Sequence, residues 1–350
     1  MISSISEYLN NLLNIPQREI IKKGMKKIIL NWIALSISVL LCILFMEILF
    51  RLLIFSNLFT YLPEFQGYKE SHLPGVYYTA PPLANFSPDI MQCTTNSMGF
   101  RTKEYNPETK SIIALGDSVT FGYGVNDSQV YPYLLEKKIN NDYSVYNFAV
   151  PGHTTFQYYS IFKHYTKYFK PDIIILGLYS NDLRSVGYDC KYNLDLIRKN
   201  SYLIDNTRFF LHSNSILYQI INYKLSKLNC LPNNKKDKAH YDIFFFERSL
   251  QLINDYSKKN DIPFYVVLLP TPINNRTLER LELYNGMLNF LNKNNISYID
   301  IASDYPNVLG DDYRTGIFME DDGTIDDHPS TYGHKLITES IFNNIKNDIY

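Results

Sequence analysis

Five short apolar runs alternate with longer helical patterns from residue 111 to the C-terminal end of this chain. The runs are rich in Ile, Val and Tyr and cover residues 111–115, 144–148, 173–178, 264–269 and 297–301. Continuous apolar runs of this length are typical of strands buried on both faces of a sheet. The helical patterns cover residues 131–140, 155–169, 243–259, 278–291 and 331–347. This alternation predicts an α/β fold with a parallel sheet and helices on both of its faces.

Two segments stand outside this rhythm. Residues 183–241 are inserted after the third strand, and we expect two helices there that cap or flank a site. Residues 56–110 are irregular and punctuated by prolines, which predicts a linker that packs onto the domain. The domain itself is expected to span residues 111–350.

The composition of the chain indicates a globular protein without an overall field for a polyanion. Apolar residues make up 45% and charged residues 20%, and the formal net charge is −1, so we expect no nucleic-acid partner. The four cysteines form no CxxC pair, and no acidic or histidine cluster has metal-ligand spacing, so we expect no metal. Cys190 and Cys230 flank the least regular part of the chain, and the sequence leaves a disulfide and two buried free thiols as alternatives.

An uncharged run precedes the linker. Residues 28–46 carry no charge, and nineteen helical residues at 1.5 Å each are about long enough to cross a bilayer core. The apolar pattern continues to Phe55, with Glu47 and Arg51 spaced to pair on one helix face near the membrane boundary. A buried core helix would show a polar face, and a cleaved signal peptide would have a shorter run followed by a small-residue cleavage site. We therefore predict a transmembrane anchor at residues 28–55 that makes the bilayer a partner.

Basic residues on one side of this run predict its orientation. Arg18 and four lysines precede it, whereas few positive charges follow it closely. The positive-inside rule then puts residues 1–27 in the cytoplasm and the rest of the chain in the periplasm or outside the cell.

Polar residues follow the first three predicted strands and recur near the C-terminus. They are Asp117 and Ser118 after the first strand, Asn147 and Gly152 after the second, Asn181 after the third, and Asp326, Asp327 and His328 in a C-terminal segment predicted to lie outside any strand. Ligands of parallel sheets bind beyond the carboxyl ends of the strands. We therefore expect these four segments to converge at one edge of the sheet.

The four segments, GDS, NFAVPG, SND and DDHPSTYGH, resemble in order and spacing the four blocks of the SGNH hydrolases, also called GDSL esterases. The resemblance covers residues 110–347, and NSMGFRTKEY ahead of GDS resembles membrane-anchored bacterial members of that family. It implies a flavodoxin-like three-layer α/β/α sandwich with a parallel five-stranded sheet, preceded here by the transmembrane helix. It also implies an ester hydrolase that needs no cofactor.

The residue types at these positions suit acyl transfer. A serine hydroxyl at Ser118 becomes a nucleophile when a base takes its proton, and His328 is the candidate base. In the family resembled here, the oxyanion hole would consist of the N–H groups of Ser118 and Gly152 and the side-chain amide of Asn181. Asp117 and Asn147 are expected to support the loops through hydrogen bonds. His153, beside Gly152, is expected at the cleft or on the surface.

One position departs from the family pattern. Many members carry an acid three residues before the histidine, where this chain has Ile325. Asp326 is our candidate for the third catalytic residue, because a two-residue offset still lets a loop return the carboxylate to the imidazole. Asp327 is expected to face away, and a Ser–His dyad results if neither carboxylate reaches.

Three functions remain open at this point. The first is a membrane-anchored serine esterase that cleaves O-acyl esters of small molecules or glycans in the envelope or outside the cell. The second uses the same site as an O-acetyltransferase or deacetylase of an envelope polysaccharide. The third is a catalytically degenerate domain that binds a glycan or a protein partner.

Overall fold

The structure is a computed structural model that describes most of the chain. The described residues are 15–59, 69–76, 78–81, 85–86, 91–140, 142–179, 182, 202–229, 243–270, 277–301, 318–321 and 324–350. The helices are α1 (Ile15–Phe55), α2 (Ser118–Phe121), α3 (Tyr131–Lys138), α4 (Thr155–Tyr165), α5 (Tyr202–Asn214), α6 (Ile216–Asn229), α7 (Ile243–Lys259), α8 (Thr277–Lys293) and α9 (Thr331–Ile349).

A parallel five-stranded sheet forms the centre of the domain. Two short pairs precede it, β1 (Lys69–Glu70) with β2 (Tyr78–Thr79), and β3 (Asn85–Phe86) with β4 (Cys93–Thr94). The sheet consists of β5 (Lys110–Leu115), β6 (Tyr143–Asn147), β7 (Ile173–Leu178), β8 (Phe264–Leu268) and β9 (Tyr298–Asp300), in the spatial order β6-β5-β7-β8-β9. This is the flavodoxin-like order. The predicted fold class is therefore confirmed.

Each strand is apolar along its whole length because successive side chains enter two different cores. In β7, Ile174 and Leu176 belong to a core on one face of the sheet, whereas Ile173 and Ile175 belong to the core on the other face. Residues of α4, α7 and α8 complete the first core, and residues of α3 and α9 complete the second. Burial of an Ile or Leu side chain is worth about 1.5–3 kcal/mol, so this repeated pattern fixes the three layers.

The two helices expected in the insertion are α5 and α6, which lie within residues 183–241. The positions of Cys190 and Cys230 lie outside the described residues, and so does most of the cytoplasmic segment predicted at residues 1–27. The linker and domain boundaries stay predictions.

Helix α1 is long and apolar enough over Lys22–Phe55 to cross a membrane, and none of its most apolar window is buried against the domain. This finding rests on length and composition alone, and a signal sequence near an N-terminus passes the same test.

One prediction about local structure is wrong. His328 lies in a strand, β11 (Thr324–Pro329), which pairs antiparallel with β10 (Phe318–Asp321). The sequence of β11, TIDDHP, has neither an apolar run nor regular alternation, so the pairing with β10 leaves no periodic signal.

Candidate active site

Ser118 begins α2, directly after the first strand of the sheet along the chain. Asp117 precedes it, and its buried carboxylate Oδ1 accepts a hydrogen bond from Val119 N at 2.9 Å. An aspartate in this cap position satisfies a helix N–H that has no partner within the helix. The cap fixes the turn between the strand and the helix, and it leaves Ser118 partly exposed at the carboxyl edge of the sheet.

His328 reaches Ser118 from the C-terminal hairpin, 210 residues further along the chain. Its Nε2 lies 2.8 Å from Ser118 Oγ, a hydrogen-bond distance at which the imidazole can take the hydroxyl proton. The ring of Tyr123 lies against the imidazole, with 5.0 Å between ring centroids. Both His328 and Ser118 are partly buried, so solvent can reach the pair.

The loop after β6 lies beside the loop that carries Ser118. Val150 N donates to Gly116 O at 3.2 Å, which joins the two loops through their backbones. Asn147 donates through Nδ2 to Thr120 O at 3.0 Å and accepts from Ala149 N at 3.1 Å. These contacts hold the end of β6 against α2, the helix that begins at the serine.

Gly152 follows in this loop with an exposed backbone and a φ of +75°. That φ lies in the left-handed region, where glycine is favoured because it has no Cβ. The position therefore suits a backbone N–H that a bulky ligand approaches.

The third block meets the same edge after β7. Asn181 lies outside the described residues, but the next residue, Asp182, is buried. Its Oδ2 accepts from Tyr179 N at 2.6 Å and its Oδ1 accepts from the phenol of Tyr158 at 2.5 Å. Burial, followed by the nearby carboxylates of Asp182 and Asp117, raises the pKa of Tyr158 well above its ordinary value. Tyr158 therefore stays a neutral donor that holds the carboxylate of Asp182.

For the two candidate acids of the fourth block, the structure describes the backbone only. Asp326 and Asp327 lie in β11 next to His328, and the positions of their side chains lie outside the described part of the chain. The choice between the two carboxylates remains a prediction.

Sequence reasoning missed Arg101, whose side chain is buried against the loop that follows α2. Its guanidinium donates to Gly122 O at 2.6 Å and to Val125 O at 2.7 Å, both just after α2, and it pairs with Asp127 at 2.7 Å. It also lies over the ring of Phe121, 5.3 Å from the centroid. Arg101 belongs to the NSMGFRTKEY segment, so the resemblance contained a signal for it but no indication of its partners.

Three histidines near or within the helical layers are buried, including His153, which was expected at the cleft or surface. Burial, which removes the imidazolium from water, lowers the pKa of His153, His212 and His334 to about 3. Backbone N–H of Tyr131 donates to His334 Nδ1 at 3.3 Å, as expected for a neutral ring.

Because the pKa values of these three histidines are lowered by burial, we expect the folded state to lose stability in mild acid. The unfolded chain binds protons below an ordinary histidine pKa of about 6.5, whereas the folded state resists protonation down to about pH 3, so stability falls as pH drops through that window. Each histidine contributes a slope of about 1.4 kcal/mol per pH unit. Urea unfolding of the protein in detergent at pH 7.5 and pH 5 measures this change in the free energy of unfolding. His334→Gln should lower its slope against pH by the contribution of one histidine, about 1.4 kcal/mol per pH unit. Equal stability at the two pH values would contradict the prediction.

Comparison with known proteins finds one family whose match includes all four segments. The sequence profile of the GDSL-like lipase/acylhydrolase family matches residues 112–341. The chain belongs to this family of ester-acting hydrolases. A comparison with curated proteins gave no match.

Several solved structures of GDSL-like and related esterases are similar to this GDSL-like hydrolase. The lipase/acylhydrolase from Enterococcus faecalis is 18% identical, over 68% of this chain and 96% of that one, with a TM-score of 0.42. The psychrotrophic esterase EstA from Pseudoalteromonas sp. is 13% identical, over 68% and 97% of the two chains, with a TM-score of 0.41. The acetyl xylan esterase AlAXEase is 13% identical, over 67% and 99%, with a TM-score of 0.41.

Proposed function

We propose that this GDSL-like hydrolase is a serine esterase that cleaves O-acyl esters through Ser118 and His328. The observation that carries the proposal is the distance of 2.8 Å between Ser118 Oγ and His328 Nε2. A serine that only capped a helix would need no imidazole at this distance. The contact therefore supports catalysis over a degenerate domain that only binds.

The first half of the reaction transfers the acyl group to the enzyme. Ser118 Oγ attacks the ester carbonyl carbon while its proton moves to His328 Nε2. The tetrahedral intermediate collapses, the bond to the alcohol oxygen breaks, and His328 returns the proton to the leaving alcohol. The acyl group is left on Ser118.

The second half releases the acid. Water attacks the acyl carbon, His328 takes a proton from the water, and the same proton returns to Ser118 Oγ as the carboxylic acid leaves. Asp326 is the proposed partner of His328 Nδ1, where a carboxylate would hold the tautomer and stabilise the imidazolium.

The oxyanion of both intermediates needs hydrogen-bond donors already in place. We assign this role to the N–H of Ser118, the N–H of Gly152 and the side-chain amide of Asn181. The hydrogen bond between Val150 and Gly116 brings the Gly152 loop beside the serine loop, which supports the second donor. The Asp182 turn next to Asn181 supports the third.

We also propose that α1 anchors the hydrolase in a membrane, with the N-terminal segment in the cytoplasm and the catalytic domain in the periplasm or outside the cell. Residues 28–46 of α1 are uncharged and exposed, which supports an apolar surface suited to lipid. Substrates would then be O-acyl esters of small molecules or glycans in that compartment.

A fluorophosphonate probe tests the proposed function on the full chain in detergent. We expect covalent labelling of Ser118, located by mass spectrometry of the labelled peptide, and loss of labelling in the presence of a short p-nitrophenyl ester that the enzyme hydrolyses. Heat-denatured protein is the control, because labelling requires the Ser118–His328 contact. An unlabelled serine in folded protein, together with no ester hydrolysis, would contradict the proposal.

A further inference from the structure

Helix α1 leaves the domain at Glu47. Residues 22–46 before it are exposed, whereas Glu47 is partly buried. Its carboxylate accepts hydrogen bonds from Ser215 Oγ at 2.8 Å and from Ile216 N at 2.9 Å. Glu47 thus caps the start of α6 and fixes α1 to the corner between α5 and α6. We call residues 213–217 the anchor corner.

Two cations also bind the anchor corner. Arg51 of α1 pairs with Glu47 and donates to Asn214 O at 2.9 Å. Lys163 of α4 donates to Ser213 O at 3.1 Å and to Asn214 Oδ1 at 2.6 Å. The corner therefore binds both α1 and the C-terminal end of α4, so the direction of α1 is coupled to the orientation of the domain.

Helix α4 runs from the active site to this corner. It begins three residues after Gly152 and has eleven residues, so at 1.5 Å per residue its ends lie about 16 Å apart. Lys163 lies near its C-terminal end, next to the anchor corner. The proposed oxyanion loop and the serine lie beyond its N-terminal end.

The chain that follows α1 confirms this direction, because it passes along α4 in reverse. The ring of Phe55 contacts His72, and the carbonyl of Pro74 accepts a hydrogen bond from His164 Nε2 at 3.1 Å. Gly75 follows, with a φ of +81°, and approaches Ser160 so closely that a Cβ would lie 2.1 Å from its Oγ.

Tyr78, three residues after Gly75, lies beside the candidate active site. The backbone of Tyr78 faces the ring of His153, the residue after Gly152. Residues 72–76 and Tyr78 therefore lie along α4, from the end of α1 near the anchor corner to the catalytic edge of the sheet.

The lipid-facing side of α1 extends past Glu47. Ile48, Leu52 and Phe55 are exposed and lie on one helix face, next to the face through which Glu47 and Arg51 bind the domain. Phe210 of α5 and Ile221 of α6 are exposed as well. Among the described residues, these apolar side chains lie on the helix that binds the anchor corner and on the two helices that form it.

We infer that the anchor corner holds the catalytic edge away from the bilayer, so that the enzyme takes acyl esters from carriers in the aqueous phase and not from lipids in the membrane. The inference rests on the proposed function for its chemistry and on α1 as a membrane helix for its orientation.

Tryptophan fluorescence tests the orientation in vesicles of phosphatidylcholine. Trp32, in α1, is the only tryptophan of the chain, so the unchanged protein reports on the anchor. Leu52→Trp and Tyr332→Trp, each combined with Trp32→Phe, report on the lipid-facing stripe and on the catalytic edge. Tyr332 is exposed at the start of α9, four residues after His328, so its replacement should leave the fold intact. Quenching by brominated lipid is compared with quenching by aqueous iodide.

We expect brominated lipid to quench the emission of the unchanged protein and of the Leu52→Trp protein, and to leave the Tyr332→Trp protein unaffected. Iodide should quench the Tyr332→Trp protein. Lipid quenching of the Tyr332→Trp protein equal to that of the Leu52→Trp protein would overturn the orientation, and absence of lipid quenching in the unchanged protein would overturn the anchor on which it rests.

A rate comparison in the same vesicles tests the substrate class. We expect hydrolysis of water-soluble p-nitrophenyl acetate without release of fatty acid from the vesicle lipid. Release of fatty acid from intact vesicles at a comparable rate would overturn the inference about substrate. Absence of both reactions would count against the proposed function, while the fluorescence result would still decide the orientation.

Discussion

Replacing Ser118 with alanine is expected to lower kcat for a short p-nitrophenyl ester by about 10⁴- to 10⁶-fold. The substitution removes the nucleophile, and His328 alone would act only as a base for water in a site that retains its oxyanion donors. Initial rates across a substrate range at pH 7.5 give kcat and KM separately. KM should change little, because the hydroxyl contributes mainly to the reaction and not to ester binding.

His328→Ala should produce a loss of similar size, and the two losses should not add. Serine and histidine act as one unit, because the hydroxyl is a poor nucleophile without the base and the base has only water to activate without the hydroxyl. The double variant is therefore expected to be about as slow as either single variant. Ser128→Ala is the matched control, since Ser128 is exposed and close in the chain, and it should keep the full rate. Substantial turnover by Ser118→Ala would remove this residue as the nucleophile.

The same assay separates the two candidate acids. Asp326→Asn is expected to lower kcat by up to about 10⁴-fold, the size expected when the base is held in the wrong tautomer. Asp327→Asn should have a small effect. The reverse order would assign the acid to Asp327, and small effects of both variants would indicate a Ser–His dyad.

The elements of the sheet were predictable because each has a strong local signal. Residues 173–178 and 243–259 coincide with the observed strand β7 and helix α7, since burial on both faces and a 3.6-residue period leave clear patterns. The strand that carries His328 was not predictable in this way, because TIDDHP pairs only with its neighbour β10 and does not enter the sheet core. The residues of this strand supply His328 to the candidate site and pair with β10, and neither role requires a periodic pattern of apolar residues.

The candidate site was predictable as a set of residues but not as a geometry. The four sequence blocks identified Ser118 and His328 as candidate residues. The contact between the two side chains, however, depends on how a hairpin 210 residues after the serine folds. The burial of His153 was missed because one histidine beside a glycine carries no information about what covers it. Here the cover is the chain around Tyr78, which arrives from the linker.

Arg101 is the clearest case of a long-range role that sequence reasoning missed, and it carries the second large prediction. Its side chain is 1% exposed, and its donors satisfy backbone carbonyls of the loop after α2, the helix that begins at Ser118. Methionine at this position would fill similar volume but remove the Arg101 donor of the buried Val125 O and leave Gly122 O with only the Val125 N–H at 3.3 Å. A buried carbonyl that loses its donor costs about 1–3 kcal/mol. We expect Arg101→Met to lower the free energy of unfolding by about 3–5 kcal/mol, measured by urea unfolding in detergent.

An exposed ion pair provides the matched control. Lys138 contacts Glu339 at 2.6 Å, as short as the contact of Arg101 with Asp127, but its side chain is 29% exposed. Water compensates both charges when such a pair is broken, so Lys138→Met should cost about 0–1 kcal/mol. Equal effects of Lys138→Met and Arg101→Met would show that burial of the guanidinium contributes nothing.

Arg101 should also affect catalysis, because the loop it holds carries Tyr123, whose ring lies against His328. Arg101→Lys keeps the charge but replaces a planar fork of donors by one ammonium group, which cannot reach Gly122 O, Val125 O and Asp127 together. At a temperature where this variant is fully folded, we expect kcat to fall by about 10- to 100-fold, because small displacements of a nucleophile and its base are costly. KM should remain nearly constant. A purely structural role would instead leave kcat of the folded fraction unchanged. A fall in kcat at constant KM would therefore show that Arg101 positions the loop after α2 for the reaction.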